Sequence, residues 1–260
     1  MSKIMLVTGG SRGIGAAISR AAGREGYDVA VNYVNARDKA EEVVEEVRKS
    51  GQRAIAVQAN MGKEEEILSM LETVDEELGS VTDIVNNAAI DYETLITEME
   101  TEGLRNLFDT NVIGLFIIAR EAVKRMSKKI NGVGGNIVNV GSISSRYGGL
   151  PGDVVYAASK GAVDSMTKGL AHEYADQGIR VNCVRPGFVL TDIWERSIGV
   201  EKANEIAKTG SMLKRMGQPE EIADMVLWLC SDKASYVTSA IFDVDGGRSN
   251  RINTGSVDSR

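Results

Sequence analysis

Short apolar runs alternate with longer amphipathic segments along almost the whole chain, and this alternation constrains the fold more than any other feature. The runs that predict strands are 3–8, 28–33, 54–58, 81–85, 137–140, 181–184 and 241–244. The segments between them have helical spacing, among them 36–50, 64–78, 101–129 and 219–229. Runs three to five are apolar on both faces, which is typical of strands covered on both sides. The pattern therefore predicts an α/β fold in three layers, with one parallel sheet between two layers of helices.

Length and composition fit one soluble globular domain. The chain has 260 residues, 43% apolar and 26% charged, without a repeat or linker, so we expect a single domain at 1–247 and a loose polar tail at 248–260. The formal net charge of −7 disfavours nucleic acid and membrane surfaces as partners. No apolar run approaches the roughly 20 residues that span a bilayer, and the first residues have no signal-peptide layout. We therefore expect a cytoplasmic protein.

Cysteine and histidine are scarce in this chain. Cys183 and Cys230 are its only cysteines, and we expect both to be buried thiols in a reducing compartment. His172 is the only histidine and lies in a helical segment, where a surface position is expected. The sequence therefore predicts no metal site, and it excludes a Ser-His-Asp hydrolase unless His172 itself serves.

A glycine-rich turn follows the first predicted strand. Gly9, Gly13 and Gly15 stand between this strand and an Ala-rich helical segment, with Ser11 and Arg12 among them. A turn of this kind brings backbone N–H groups and the positive end of a helix to one place, which suits a pyrophosphate. The spacing differs from the commoner G-x-G-x-x-G fingerprint of dinucleotide sites.

Other chemically useful residues also follow strands directly. Asn87, Ser142 and the pair Pro186-Gly187 each come at or just after the end of a predicted strand. In parallel sheets, ligands bind at the carboxyl ends of the strands, near the point where the strand order reverses. We therefore expect these residues to lie on one edge of the sheet together with the glycine turn.

Tyr156 and Lys160 form the strongest candidate for acid–base chemistry. Residues four apart on a helix lie on one face, so the Lys160 ammonium should stand beside the Tyr156 phenol. A free phenol has a pKa near 10, and a positive charge within about 4–6 Å lowers that pKa. Tyr156 could then transfer a proton near neutral pH. The alternative is a half-buried tyrosine beside a solvated lysine, which is common on helices.

The ordered motifs together resemble one enzyme family. Over about residues 3–247 the chain is similar to the short-chain dehydrogenases/reductases, through Thr8-Gly-x-x-x-Gly13-Ile-Gly15, Asn86-Asn-Ala-Ala89, Asn111, Ser142, Tyr156-x-x-x-Lys160 and Pro186-Gly187. The resemblance implies a Rossmann-type, doubly wound parallel sheet. It also implies hydride transfer between a nicotinamide and a carbonyl or secondary alcohol.

The resemblance implies a role for each of four catalytic residues. Tyr156 would protonate the carbonyl oxygen, and Lys160 would lower the pKa of Tyr156 and bind the nicotinamide ribose. Ser142 would hold the same substrate oxygen, with Ser144 as the alternative because the interval to Tyr156 is fourteen residues rather than the usual thirteen. Asn111 would kink its helix and hold a water that connects Lys160 to solvent. Its alternative is a surface asparagine.

NADP(H) is the expected cofactor, in preference to NAD(H). No carboxylate stands at the end of the second strand, which has Tyr33, and Arg12 and Arg37 offer guanidinium groups for a 2′-phosphate. Asn60-Met61 departs from the family, which often has an Asp beside the adenine. Thr191 would bind the carboxamide, beside the Val189 backbone. The expected cofactor contacts are Gly9, Ser11, Arg12, Gly13, Ile14, Gly15, Asn32, Tyr33, Asn60, Met61, Asn87, Ala88, Tyr156, Lys160, Pro186, Gly187, Val189 and Thr191.

The substrate is less constrained. Within the family the chain most resembles 3-oxoacyl-acyl-carrier-protein reductases and glucose dehydrogenase-like members, so a 3-oxoacyl thioester is favoured. Sugar or polyol oxidation, broad carbonyl reduction and a non-catalytic NADP-binding regulator stay open. The expected pocket, under a lid at 188–216, is largely apolar and is lined by Tyr92, Leu95, Tyr147, Leu150, Ile193, Trp194 and Met212.

Two surfaces are predicted to bind protein partners. Lys124, Arg125, Lys128 and Lys129 could receive an acidic carrier protein, although a solvated helix end explains them better. The resemblance implies a homotetramer, assembled through the helix at 101–129 and the Tyr156 helix. Apolar residues on the first helix that exceed the needs of one sheet face are Leu104, Leu107, Phe108, Leu115 and Ile118.

Overall fold

The computed structural model describes residues 3–192 and 199–248, and these form one domain around a seven-stranded parallel sheet. The strands are β1 (Lys3–Val7), β2 (Tyr27–Tyr33), β3 (Ala54–Gln58), β4 (Asp83–Asn86), β5 (Gly135–Val140), β6 (Ile179–Pro186) and β7 (Ile241–Val244). Their order in the sheet is β3-β2-β1-β4-β5-β6-β7. The order reverses between β1 and β4, which makes the fold doubly wound as predicted.

Helices cover both faces of the sheet. Their bounds are α1 (Gly13–Arg24), α2 (Arg37–Lys49), α3 (Glu64–Glu77), α4 (Thr101–Phe108), α5 (Gly114–Met126), α6 (Ser144–Tyr147), α7 (Val154–Tyr174), α8 (Val200–Gly210) and α9 (Pro219–Cys230). Helices α1, α2 and α9 pack on one face, and α3, α5 and α7 pack on the other. The predicted three-layer α/β/α architecture is confirmed.

The side chains of β1 divide between these two layers. Met5 and Val7 belong to the core under α1 and α2, whereas Ile4 and Leu6 belong to the core under α3 and α5. This alternation follows from the two-residue period of a strand, and it explains why a central parallel strand reads as a continuous apolar run. Strand β3 departs from the prediction, because it lies at the sheet edge and its Gln58 is exposed.

The predicted helix at 101–129 is interrupted. It divides into α4, a π-helical turn at Asp109–Ile113, and α5, which ends at Met126. The interruption brings Gly114 so close to the Met61 carbonyl oxygen that a Cβ on residue 114 would overlap it. One extra residue in a turn of this kind is a recognised way to redirect a helix, often at functional sites.

The remaining expectations concern single residues and segments. Cys183 and Cys230 are both buried free thiols, and His172 is exposed, as predicted. The lid contains α8, while Ile193, Trp194 and the tail beyond Arg248 lie outside the described residues. Within the described ranges, no helix is long and apolar enough to span a membrane.

Candidate active site

The loop between β1 and α1 is a tight turn built from glycines. Gly9 and Gly13 have positive φ angles, 61° and 54°, which residues with a Cβ rarely adopt. Gly15 is needed for close packing, since a Cβ there would overlap the Gly9 carbonyl oxygen and lie 2.5 Å from Asn87 Nδ2. Helix α1 begins at Gly13 without a side-chain cap at Arg12. The turn thus has the form of an anion site at a helix N-terminus.

Thr8 and Asn87 fasten this turn to the end of β4. The Thr8 hydroxyl accepts hydrogen bonds from Asn87 N and Ala88 N, both at 3.0 Å, and donates to Val85 O at 3.3 Å. Asn87 Nδ2 donates to the carbonyl oxygens of Thr8 and Gly9, at 3.0 and 3.1 Å. Thr8 is fully buried. Sequence reasoning omitted it from the site, although its position as the last residue before the glycines was the available signal.

The side chain of Asn32, near the end of β2, holds the glycine turn from the side of that strand. Its Oδ1 accepts from Gly9 N at 3.0 Å, and its Nδ2 donates to Val57 O at 3.3 Å and Ala59 O at 3.0 Å. The side chain is fully buried and its polar atoms are engaged by backbone groups. In this conformation Asn32 therefore shapes the cofactor loop and does not offer a free contact, which differs from the direct contact predicted.

Two other expected cofactor contacts are also buried. Tyr33 packs in the core under α1 and α2, and Met61 packs in the opposite core under α3. Asn60, also predicted on the adenine side, is partly buried. The sequence pattern identified the strand ends correctly but could not tell which side chains turn inward.

Arg12 is the exposed cation of the glycine turn. Among the residues that the structure describes, it forms no ion pair with a carboxylate. Arg37 is also exposed and lies 3.8 Å from Glu41. A guanidinium that is not neutralised by a neighbouring acid is well suited to phosphate oxygens.

Ser142, Tyr156 and Lys160 meet between the end of β5 and helix α7. Ser142 Oγ accepts from Ser144 N at 3.1 Å and is close enough to the Tyr156 phenol to lower its pKa. Lys160 Nζ donates to Val140 O at 3.0 Å and lies 5.7 Å from the centroid of the Tyr156 ring. Lys160 is only 3% exposed, so the alternative of a solvated lysine is wrong. Ser144 supplies a backbone donor to Ser142, which leaves Ser142 as the hydroxyl that faces Tyr156.

The electrostatics of this pair differ from the prediction. Burial, and next the Asp91 carboxylate, raise the pKa of Tyr156 to about 12, while the hydrogen bond with Ser142 lowers it. Burial lowers the pKa of Lys160 to about 8, while Cys183 and Asp164 raise it. The predicted fall of the Tyr156 pKa is not confirmed, because burial of the phenol is the largest influence on it and the Lys160 ammonium is not among the groups that shift it. Sequence reasoning also missed Asp91, which follows Ile90 in the loop after β4.

Asn111 lies at the centre of the π-helical turn and is buried, so the surface alternative is wrong. Its Oδ1 accepts from Ile90 N at 2.9 Å, and its Nδ2 donates to Ile90 O at 2.8 Å and Ser159 Oγ at 3.3 Å. Ser159 Oγ in turn donates to Tyr156 O at 2.7 Å. The amide therefore joins the loop after β4 to the helix that carries Tyr156 and Lys160. The predicted kink in this helix is confirmed.

A buried chain of polar side chains lies beneath the site. Asn86 Nδ2 donates to Asn139 Oδ1 at 2.8 Å, and Asn139 Nδ2 donates to Thr167 Oγ1 at 2.9 Å. Thr167 Oγ1 donates to Val163 O at 2.8 Å. The chain links β4, β5 and α7, the three elements that carry Asn87, Ser142 and Lys160. None of these groups was predicted as part of the site.

The end of β6 leads back to the glycine turn. Gly187 approaches Asp245 so closely that a Cβ would lie 2.7 Å from Asp245 Cα. Val189 is buried and pairs with Gly217 through an isolated β-bridge. The Thr191 methyl group would lie 3.3 Å from a Cβ on Gly13. Pro186, Gly187, Val189 and Thr191 therefore border the same cleft as the glycine turn, on the predicted sheet edge.

Four of the residues predicted to line the substrate pocket are partly exposed. Leu95, Tyr147, Leu150 and Met212 are each about half exposed, in line with a largely apolar pocket. Tyr92 instead packs its ring on Gly103, and its hydroxyl accepts from Glu100 N at 2.8 Å.

Arg248 contacts one of these residues, Tyr147, although the sequence assigned it to a loose tail. Its guanidinium stacks 3.6 Å from the centre of the Phe188 ring and donates to Tyr147 Oη at 3.0 Å. The described residues contain no cluster of side chains suited to a metal ion.

The basic residues near the end of α5 are largely paired with carboxylates. The partners are Glu121 for Lys124, Asp75 for Arg125 and Asp176 for Lys129, at 2.7–2.8 Å. This helix end precedes β5, so it lies at the sheet edge opposite to Ser142. Both observations argue against a surface for a carrier protein here, and the helix end predicted to be solvated is instead largely ion-paired.

Comparisons with known proteins agree with this geometry. The family described as "Enoyl-(Acyl carrier protein) reductase" matches residues 9–249. The chain is 45% identical to the uncharacterized oxidoreductase YgfF of Escherichia coli over 94% of this chain and 99% of that protein. It is 39% identical to 3-oxoacyl-[acyl-carrier-protein] reductase FabG of Staphylococcus epidermidis, over 95% and 99%.

A solved structure extends the comparison to the fold. A short chain dehydrogenase from Burkholderia cenocepacia, crystallised in complex with NADP, superposes with a TM-score of 0.88 at 30% identity, over 96% of this chain and 98% of that chain. Sequence identity, strand order and the arrangement of Ser142, Tyr156 and Lys160 thus all indicate the same family. The chain belongs to the short-chain dehydrogenase/reductase family of oxidoreductases.

Proposed function

We propose that this protein is an NADP(H)-dependent reductase of carbonyl compounds, with 3-oxoacyl thioesters as its favoured substrate class. The observation that carries the proposal is the meeting of Ser142, Tyr156 and Lys160 at the sheet edge that also carries the glycine turn. A phenol with a pKa raised to about 12 is protonated at neutral pH, which is the form that donates a proton. The protonated phenol is the form that carbonyl reduction requires of a general acid.

The residues present fit a dinucleotide phosphate. Gly9, Gly13 and Gly15 form a close-packed turn with two positive φ angles at the start of α1, which leaves backbone N–H groups for a phosphate. The exposed guanidinium of Arg12, and the lack of an acid at the end of β2, support NADP(H) over NAD(H). Pro186, Gly187, Val189 and Thr191 would hold the nicotinamide end. The complex of the Burkholderia cenocepacia relative with NADP supports the same choice.

The roles of the polar residues follow from their positions. When bound, the reduced nicotinamide supplies the hydride that reduces the carbonyl carbon. Tyr156 donates its phenolic proton to the carbonyl oxygen, and Ser142 holds that oxygen and stabilises its developing negative charge. Lys160, as an ammonium held by Val140 O, stabilises the phenolate that Tyr156 becomes. Asn111 fixes the loop after β4 against α7, so that these groups keep their distances.

A thioester substrate is supported by similarity and by the residues predicted to line the substrate pocket. The 39% identity to a 3-oxoacyl-[acyl-carrier-protein] reductase covers nearly the whole chain. Exposed Leu95, Leu150 and Met212 suit an acyl chain better than a sugar. We do not assign the carrier-protein surface to the α5 end, since its cations are paired with carboxylates.

A homotetramer is supported by an apolar groove between α5 and α7. The groove has a volume of about 770 Å³ and includes Phe116, Met166 and Leu170. Phe116 and Ile113 are about half exposed. The residues predicted from sequence were different: Leu107, Leu115 and Ile118 are buried within the chain itself. The proposed cytoplasmic location rests on the two buried free thiols.

The test is NADPH oxidation with acetoacetyl thioesters, diketones, ketosteroids and quinones, with aldoses assayed in the reverse direction. We expect the thioesters to give the highest kcat/KM, and NADH to be at least tenfold poorer than NADPH. Tyr156→Phe should abolish turnover while NADPH still binds. Tyr236→Phe, which changes a fully exposed tyrosine, should behave as the wild type.

Three other results would redirect the proposal. Turnover of sugars alone would make the protein a sugar or polyol dehydrogenase. Turnover of simple ketones without thioester preference would make it a broad carbonyl reductase. NADPH binding with no turnover across the panel would instead favour the non-catalytic regulator.

A further inference from the structure

A buried ion pair lies one helical turn beyond Lys160. Asp164 of α7 accepts two hydrogen bonds from Arg185 of β6, at 2.7 Å from Nη2 and 3.0 Å from Nε. The two side chains are only 12% and 15% exposed. Arg185 also donates to Asp243 of β7 at 3.3 Å, and Asp243 pairs with Arg146 of α6 at 2.6 Å. Four alternating charges thus connect α7, β6, β7 and α6.

This pair lies directly behind the backbone of the catalytic centre. A Cβ on Gly141 would stand 2.9 Å from Cys183 Sγ, 3.2 Å from Arg185 Cγ and 3.6 Å from Asp164 Oδ1. Gly141 is the residue between Val140, whose carbonyl binds Lys160 Nζ, and Ser142. The Asp164 carboxylate therefore approaches the short backbone segment on which both catalytic side chains depend.

Asp164 is also the carboxylate that acts on Lys160. Three groups face or influence the lysine: the Tyr156 ring on the same helix, Cys183 on β6 and Asp164. Burial raises the pKa of Cys183 to about 12 and that of Tyr156 to about 12, so both are neutral at ordinary pH. The other nearby acids, Asp91 and Asp153, act on Tyr156. Asp164 is therefore the group whose negative charge raises the pKa of Lys160 against the effect of burial.

We infer that Asp164 is a positioning residue of the catalytic centre, the counter-ion that keeps Lys160 in its ammonium form, and that Arg185 and Asp243 hold it in place behind Gly141. The inference rests on the proposed function only for the role of Lys160 in turnover. Because the Lys160 pKa is already lowered to about 8, the loss of one favourable charge moves its titration into the working pH range. Asp164 thereby extends the pH range of the enzyme on its alkaline side.

The test compares Asp164→Asn with Asp243→Asn across the pH range. Asp164→Asn should shift the alkaline limb of the kcat profile to lower pH by roughly half a unit or more, because it removes the carboxylate that raises the pKa of Lys160. The KM for NADPH should change little. Asp243→Asn removes a carboxylate from the same network one step further from Lys160, so it should reduce stability and move the alkaline limb much less than Asp164→Asn does.

A second variant covers the case in which Asp164→Asn leaves Arg185 buried without its partner and fails to fold. Asp164→Asn combined with Arg185→Met removes both members of the pair, which is better tolerated than removing one. The alkaline limb should move in the same direction but less far than in Asp164→Asn, because the positive charge of Arg185 is removed together with the carboxylate. An unchanged limb in a folded variant would overturn the inference.

A readout without turnover separates this inference from the proposed function. The free energy of unfolding is measured against pH for the wild type and for Lys160→Met, and the difference reports the titration of Lys160. In the Asp164→Asn background that titration should begin at lower pH. If the wild type reduces no carbonyl, the proposed function fails while this shift still tests the counter-ion. If the titration of Lys160 is the same with and without Asp164, the inference fails whatever the substrate.

Discussion

Gly15→Ala tests the construction of the cofactor turn. A helical Gly→Ala change ordinarily stabilises a protein by about 0.5–1 kcal/mol, because alanine has the higher helix propensity. Here the new Cβ would overlap the Gly9 carbonyl oxygen, lie 2.5 Å from Asn87 Nδ2 and 3.0 Å from Gly9 C. Steric insertion of this kind costs about 1–3 kcal/mol, and each displaced hydrogen bond adds about 1 kcal/mol. We expect a net destabilisation of about 2 kcal/mol.

The measurement is urea unfolding followed by circular dichroism, at one protein concentration, with NADPH affinity from a fluorescence titration. Affinity should fall at least tenfold, because Asn87 and Gly9 form the wall of the turn. Gly161→Ala is the matched control: it is also a helical glycine, but a Cβ there meets nothing within 4 Å. It should gain about 0.5–1 kcal/mol. If Gly15→Ala gained stability like Gly161→Ala and bound NADPH normally, the close packing inferred for the turn would be wrong.

Three further changes probe charge burial and assembly. Lys160→Met should raise the free energy of unfolding by up to about 3 kcal/mol at pH 7, since the lysine pKa is lowered from 10.5 to about 8 in the folded chain. The unfolded chain holds the proton more tightly, so this gain should disappear as the pH rises from about 8 to 10.5; a pH-independent difference would contradict the burial argument. Phe116→Glu should dissociate the proposed tetramer in sedimentation equilibrium, whereas a wild-type monomer at micromolar concentration would refute the interface. Arg53→Met should cost about 3 kcal/mol in urea unfolding, because it leaves Asp28, whose side chain is 6% exposed, without its guanidinium partner; a loss under 1 kcal/mol would count against this.

The fold and the site edge were predictable because both depend on local patterns. Strand periods and glycine turns are read over a few residues, and parallel strands necessarily bring their carboxyl ends to one edge. The grouping of Gly9, Asn87, Ser142 and Pro186 followed from that geometry alone. Only their detailed roles needed the resemblance to a family.

The burial of individual side chains was not predictable from these patterns. Asn32 and Tyr33 look like ligand contacts because they end a strand, yet helix packing over β2 encloses both. The sign of the Tyr156 pKa shift was wrong for the same reason: the spacing places a lysine nearby, but the amount of water excluded from the phenol depends on the whole fold.

Ion pairs between residues far apart in the sequence could not be predicted either. Asp164 and Arg185 stand on a helix and on the strand that follows it, with nothing in the local sequence to connect them. Their meeting depends on the register of α7 against β6, which only the assembled structure defines. The π-helical turn at Asn111 has a similar origin, since it is stabilised by backbone groups of Ile90 in another segment.

The buried amides Asn86 and Asn139 have a consequence for folding specificity. They are direct partners in the register of β4 and β5, and they share a hydrogen bond of 2.8 Å in an otherwise apolar layer. A slip of these strands by one residue would place Asn86 opposite Val138 or Val140 and break the hydrogen bond between the two amides. Asp83 and Asn136, which are also register partners, add a second hydrogen bond between these strands, at 2.6 Å. These two polar contacts discourage misaligned sheets and help the chain reach a single native arrangement.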